Sequence, residues 1–432
     1  MSTVSPRPVV AVLQQHAEEV AVLRHIRAVL LRAPHVQLHR LRRLDDRIAA
    51  HLDGLHEAGV AGLACLRQEL AEPSAGVMFA LSVLALQTRD ATTLTQLVTL
   101  AATLPQAERG FLSALGWVSA EDLQGTVRAL LGSKVPRHRA WALSACAMHR
   151  VDPGTVLQQA TQDADAFVRA SAWRVAGQLG RLDLAEGARQ ALVSSQGDAQ
   201  RAAAWALTLW GQGQSDLVRQ ALLALQDGQA LPPQAAHRLA IMAAPLDWGR
   251  EQVRALAAQA EASPLHKRRM MRMVAWVGDV QVLPWLIHHM ADEKWARLAG
   301  EAFSLICGLD LSAAELERAQ DDTPVASAGP SDEPDNDEVG LDEDDSLPWP
   351  DPLRVQAWWQ AHGGRFVQGQ RYFMGEPPHL AHALTVLSQG AQRQRIMAAE
   401  YLCLLQPGSK LFPVAAPAWR QRRWLSDVSG AA

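Results

Sequence analysis

DAFVRASAWRVAGQLGRLDLAEGARQALVSSQ, residues 165–196, decides the fold. Asp165 is placed to cap a helix whose first backbone N–H groups would otherwise lack acceptors. Val168, Ala172, Val175 and Leu179 then fall on one apolar stripe. Gly180 is suited to the left-handed turn that ends such a helix, and Asp183 opens a second one with Leu184, Ala188, Ala191 and Leu192 facing inward. One such hairpin cannot cover its own apolar face, whereas stacked copies can, and alanines at the contacts let helices approach closely. Copies do follow a fixed step. Arg137, Arg169 and Arg201 lie 32 residues apart, as do Trp141, Trp173 and Trp205. Ala140, Ala172 and Ala204 keep the same step, and so do Leu143, Val175 and Leu207. Arg297 falls four periods after Arg169, and Gly308 four periods after Gly180. A period of this length marks a repeat architecture.

Outward from the repeats the helical pattern continues. Toward the N-terminus, Leu38, Leu41, Leu44, Ile48, Leu52 and Leu55 recur at spacings of three and four, and Gly59 is placed to close that helix. Ser119 with Asp122 has the spacing of a capping box before residues 123–131. Leu and Ala are abundant, while Phe (7) and Tyr (2) are few, which suits close-packed helices better than a β core. No apolar run is long enough to span a bilayer. The start, MSTVSPRPVV, has no basic region leading into an apolar one, so no signal peptide is expected. Cys65, Cys146, Cys307 and Cys403 are far apart without a CxxC, which reads as buried reduced thiols in a cytoplasmic protein.

The net charge of −4 hides an asymmetry. Between Ala319 and Leu353 there are 12 acidic residues and no Lys or Arg, leaving 41 basic against 33 acidic residues elsewhere. This stretch, DDTPVASAGPSDEPDNDEVGLDEDDSLP, cannot bury enough apolar surface to offset chain ordering, so it is expected to be a disordered linker. An acidic arm lying on a basic face is the sharper alternative, with Trp349 of Pro348-Trp349-Pro350 as its anchor. Asp351 and Pro352 restart a helix that carries Trp358 and Trp359. RFVQGQRYFMGEPP, residues 365–378, is the one place where a short hairpin is expected, and QRQRIMAAEYLCLL, residues 392–405, helps rebuild a helix pair. The divisions are therefore an N-terminal helical region (1–134), repeats of about 32 residues (135–318), the acidic linker (319–350) and a small helical C-terminal module (351–432).

The order Asp165, Val168-Arg169, Ala172, Leu179-Gly180 resembles short HEAT-type repeats of the bilin-lyase-like subclass. HLDGLHEAGVAGL (51–63), AGEAFSLICGLDL (299–311) and DDSLPWPDPLRVQAWW (344–359) resemble an uncharacterised proteobacterial family of HEAT-repeat proteins, some members of which are associated with type VI secretion loci. The resemblance implies an all-α, HEAT-like α-solenoid, an α-α superhelix. It implies a protein partner among secretion-apparatus or effector proteins, and it transfers no activity.

The pairs Arg137–Trp141, Arg169–Trp173 and Arg201–Trp205 are each four apart on a helix, so the two side chains are neighbours. They form a possible partner-binding ladder, a guanidinium over an indole contributing roughly 0.5–2 kcal/mol. The plainer reading makes each Trp a core residue. The basic runs HRLRRLDDR (39–47) and HKRRMMR (266–272) read as solvated faces or partner contacts, with Asp45-Asp46 and Glu18-Glu19 on exposed helix faces. His288-His289 point about 100° apart on a helix and do not easily share one ion. No GxSxG, Walker loop, HExxH or dinucleotide fingerprint occurs. No catalytic, cofactor or metal residue is assigned. A non-catalytic, cytoplasmic scaffold or adaptor, accessory to type VI secretion, is the leading expectation. A nucleic-acid-binding, DNA-glycosylase-like HEAT protein and a lyase-type enzyme are the alternatives. The oligomeric state is left open.

Overall fold

A computed structural model describes residues 9–71, 73–224, 232–260, 263–319, 344 and 346–429. Among these the chain is all helical, with single-residue β-bridges such as Gln37 with Ala391 in place of strands. The N-terminal part holds α1 (Val10–Leu30), α2 (Leu38–Glu57), α3 (Val60–Gln68), α4 (Ala75–Gln87), α5 (Ala91–Thr103), α6 (Pro105–Trp117) and α7 (Thr126–Leu131). Next come α8 (Pro136–Met148), α9 (Thr155–Ala160), α10 (Ala166–Gln178), α11 (Ala185–Ser194), α12 (Gly197–Leu207) and α13 (Asp216–Leu223). They are followed by α14 (Pro233–Ala243), α15 (Leu246–Ala260), α16 (Pro264–Val277), α17 (Leu283–His289) and α18 (Ala296–Cys307). The C-terminal part holds α19 (Pro352–His362), α20 (Leu380–Gln389), α21 (Gln392–Leu405) and α22 (Ala418–Ser429).

Local chemistry starts these helices. Asp165 Oδ1 accepts from the Phe167 and Val168 N–H groups, and Asp90 and Asp351 act likewise at α5 and α19. Proline occupies the first turn of α6, α8, α14 and α16, where its missing N–H costs nothing. Ser119 and Asp122 make the expected reciprocal capping contacts, at 3.0 and 3.2 Å. α4, α6, α8, α10, α12, α14, α16 and α18 pack each on the next in a row. α5, α7, α9, α11, α13, α15 and α17 form a second layer, each against the row helix that follows it. The row interior is alanine-rich and closed, with Ala142, Ala172 and Ala204 all at 0 % exposure.

The constant step holds only on average. Gly180 and Gly308, both left-handed, do end helices four layers apart. Between α8 and α10, however, the equivalence is Arg139 with Arg169. Each stands four residues after its N-cap, Val135 or Asp165. Each donates to the carbonyls six and five residues earlier, Ser133 and Lys134 or Asp163 and Ala164. The counterpart of Trp173 in α8 is therefore Leu143, and Trp141 is two positions out of step because the spacing between these helices is shorter. Arg297 is the second residue of α18, whereas Arg169 is the fourth of α10.

Residues 351–429 run back along the row, from α18 toward α6. A helix leaves its last carbonyls without intrahelical donors, and here the returning segment supplies them. Met374 and Gly375 N–H donate to Leu305 and Ile306 O of α18. The Arg371 guanidinium donates to Val277 O of α16 and to Met242 and Ala244 O at the end of α14. Leu411 N–H reaches Gln178 O of α10, and Lys410 Nζ reaches Arg150 O after α8. Arg420 donates to Gly116, Trp117 and Val118 O, closing α6. The helix-ending glycines make room for it. A Cβ on Gly180 would lie 2.1 Å from Gly408 O, on Gly278 2.2 Å from Tyr372 O, and on Gly308 2.3 Å from Met374 O. The expected hairpin at 365–378 is a tight turn, Phe373 N–H to Glu376 O at 2.9 Å, that sits on the α18 end.

The same segment joins the far end of the row to α1 and α2. Asp45 Oδ2 accepts from Ala418 N–H at 2.7 Å while Oδ1 accepts from Arg27 Nε at 2.6 Å. Arg27 also donates to Ala415 and Ala416 O. Asp45 is wholly buried, which corrects the expectation of an exposed Asp45-Asp46 face; Asp46 alone stays exposed. Arg395, also wholly buried, donates to Leu387 O, Gln392 Oε1 and Gln421 Oε1 and so fixes α20, α21 and α22 together. Burial brings its guanidinium down to about 10.

Candidate functional site, a groove lined by arginines

The six residues of the expected ladder are placed mainly for packing. Trp141, Trp173 and Trp205 are 2 %, 1 % and 4 % exposed. Trp141 Nε1 donates to Glu108 Oε1 at 2.7 Å, and its ring lies 5.4 Å from that of Phe111 on the preceding row helix. Arg137 lies 3.3 Å from the same carboxylate and over the Phe167 ring at 5.9 Å. Arg169 is spent on backbone carbonyls, and Arg201 is 1 % exposed with Asp198 at 3.9 Å. A partner cannot touch these indoles unless the core opens.

The structure gathers a different set of residues. α21 lies against α14, and Arg238 of α14 makes two bonds of 2.7 Å to Glu400 of α21. Between α21 and helices α14, α16 and α18 lies a cavity of about 380 Å³. Met271, Trp276, Ile396 and Met397 line its apolar part, and Arg32, Arg272 and Arg393 bring positive charge. Arg393 Nη1 donates to Glu301 Oε2 at 2.7 Å, and its Nε donates to Arg32 O at 2.9 Å. This pair divides the first cavity from a second of about 580 Å³, which shares Glu301, Leu305 and Arg393. The second chamber lies between the α1–α2 corner at Pro34–Gln37, the end of α18, and α20–α21. His35 lies in it, its pKa lowered by burial and by Arg40 and Arg393.

The basic runs divide between core and groove. In HKRRMMR, Met270 and Met271 are buried, Arg272 lines the groove, and Arg268 Nη2 lies 2.6 Å from Asp344 Oδ2. In HRLRRLDDR, Leu41 and Leu44 are core and Arg42 pairs with Asp46 at the surface. In the tail, Arg420 is buried under α6 while Arg422 and Arg423 are outside the core. Trp349 does anchor the end of the acidic stretch, with the Arg297 and Arg318 guanidinia 4.9 and 5.6 Å from its ring. The disorder expected for that stretch concerns mainly residues 320–343 and 345, outside the described residues; Asp344 and 346–350 are packed against the fold. The four cysteines are buried thiols, with Cys146 and Cys403 pushed up to about 11 and 12 by burial.

Sequence reasoning did not find Glu301, Arg393, Met397 and Glu400, although one signal was present. Residues 397–401 of α21 are apolar on every side with a single carboxylate among them, the mark of a helix covered on more than one face. No family model, curated protein or solved structure matches the chain.

Proposed function

We propose that the chain is a HEAT-like α-solenoid acting as a non-catalytic scaffold or adaptor, and that its groove receives an acidic, apolar-anchored segment of a protein partner. The observation that carries this reading is the mixed lining of the groove. Ile396, Arg272 and Arg393 are partly exposed and Arg32 is exposed, over a floor of buried Met271, Trp276 and Met397, and an aliphatic contact beside arginines suits a protein interface. Arginine adds bidentate recognition of carboxylates. The helix-on-helix row, in which each layer covers its neighbour, supports the solenoid reading. Among the described residues no helix is long and apolar enough to cross a membrane. Resemblance to the proteobacterial HEAT-repeat family suggests the place of action, in the cytoplasm beside a type VI secretion apparatus, with an apparatus or effector protein as partner.

A photoreactive amino acid at Ile396, inside the groove, tests the reading in the source cell. A discrete protein adduct is expected there, lost on adding Arg272→Glu and absent when the probe sits at Val193, an exposed residue of α11. Identical adducts at both positions, or none at Ile396, would overturn it.

A further inference from the structure

We propose that Asp344 and Leu347 form an internal ligand of this groove at Arg393, the boundary of its two chambers, and that the partner presents the same pattern, a carboxylate followed three residues later by leucine. This rests on the groove being a partner site. Asp344 is 5 % exposed, between Arg268 of α16 at 2.6 Å and Arg393 of α21 at 3.9 Å. A buried carboxylate is costly unless its site is built to receive it, and two arginines from different helices make such a site. Leu347 N–H bonds back to Asp344 O at 2.9 Å, which holds the two residues close together. Leu347 lines the larger chamber and is 8 % exposed. The pair thus presents an acid and an aliphatic side chain together, beside the arginine that both chambers share.

The limb is tied back at its base. Arg318 N–H donates to Trp349 O at 2.9 Å and Asp351 N–H to Leu316 O at 2.8 Å. Asp344 and Leu347 are therefore joined through a few residues to a fixed base. A tethered ligand competes at an effective concentration of ~mM, so an external segment of equal intrinsic affinity binds only weakly until the internal one is displaced.

The test uses the full chain and a fluorescent, end-blocked peptide, GLDEDDSLPWPD, copying residues 340–351. Asp344→Ala with Leu347→Ala is expected to bind this peptide at least tenfold more tightly than the unaltered chain, and less tightly as salt rises. Adding Arg268→Glu is expected to abolish binding, as is replacing the peptide's own Asp and Leu at the two matching positions by Ala. Asp344→Asn, which keeps the side-chain shape, is expected to give a smaller gain and guards against misfolding of the double variant. Equal affinity of the unaltered and double-variant chains, or equal binding of the alanine peptide, would overturn the proposal. An Ile396 adduct of the same yield in the unaltered chain and the double variant leaves the partner groove standing and removes the internal ligand. Peptide competition without any adduct does the reverse.

Discussion

Trp173→Ala is expected to lower the unfolding free energy by about 3–5 kcal/mol, the loss typical of truncating a buried tryptophan. The indole is 1 % exposed within the alanine-lined core of α10 and α12. Gly187 of α11 approaches so closely that a Cβ there would meet the ring at 3.2 Å. With helices held this near one another the site cannot collapse, so the cavity persists. The indole Nε1 makes no hydrogen bond, so no polar partner is orphaned and the loss is one of packing. Trp141→Ala leaves a similar cavity and removes one donor from Glu108, which keeps its Arg137 contact. Urea unfolding monitored by circular dichroism measures both. A loss below about 1 kcal/mol for Trp173→Ala would mean that the ring lies at a surface open to partners.

Arg420→Ala is expected to cost about 3 kcal/mol. Its guanidinium is 6 % exposed and donates to three successive carbonyls, Gly116 at 2.8 Å, Trp117 at 3.1 Å and Val118 at 2.7 Å. Each buried carbonyl left without a donor costs about 1–3 kcal/mol, and water entering the gap recovers part of that sum. Arg420→Lys is expected to recover less than half, because an ammonium on a single stem cannot fork to three acceptors. Thermal and urea unfolding of the three proteins checks the order. A change under about 1 kcal/mol for Arg420→Ala would show that α6 is capped by solvent.

These two residues mark what was legible in the sequence and what was not. The helices were readable because Asp165, Pro136 and Gly180 act on the backbone within a few residues, and local chemistry leaves a local pattern. The layer count from Gly180 to Gly308 was readable for the same reason. The matching of Trp141 to Trp173 failed because a two-residue difference in connection length rotates a helical position by about 200°. The groove was illegible because its pairs are remote in sequence. Arg238 meets Glu400 across 162 residues, and Arg393 meets Glu301 across 92. The burial of Asp45 depends on a donor, Ala418, that lies 373 residues away. A basic side chain at a helix end and one on an open face look alike in a sequence, so buried Arg420 has there no mark that sets it apart from exposed Arg422 and Arg423.

The central claim is that the C-terminal segment lies directly on the glycine-terminated ends of the row. Gly308 has a left-handed backbone, φ 70° and ψ 20°. A Cβ built on it meets Met374 O at 2.3 Å. The strain of a left-handed alanine alone is roughly 1 kcal/mol. The unfolding free energy of Gly308→Ala, measured against the unaltered chain, shows whether the segment's contact adds to that strain. A loss of about 2–4 kcal/mol is predicted, the contact adding about 1–3 kcal/mol; a loss near 1 kcal/mol, roughly the strain alone, would contradict it.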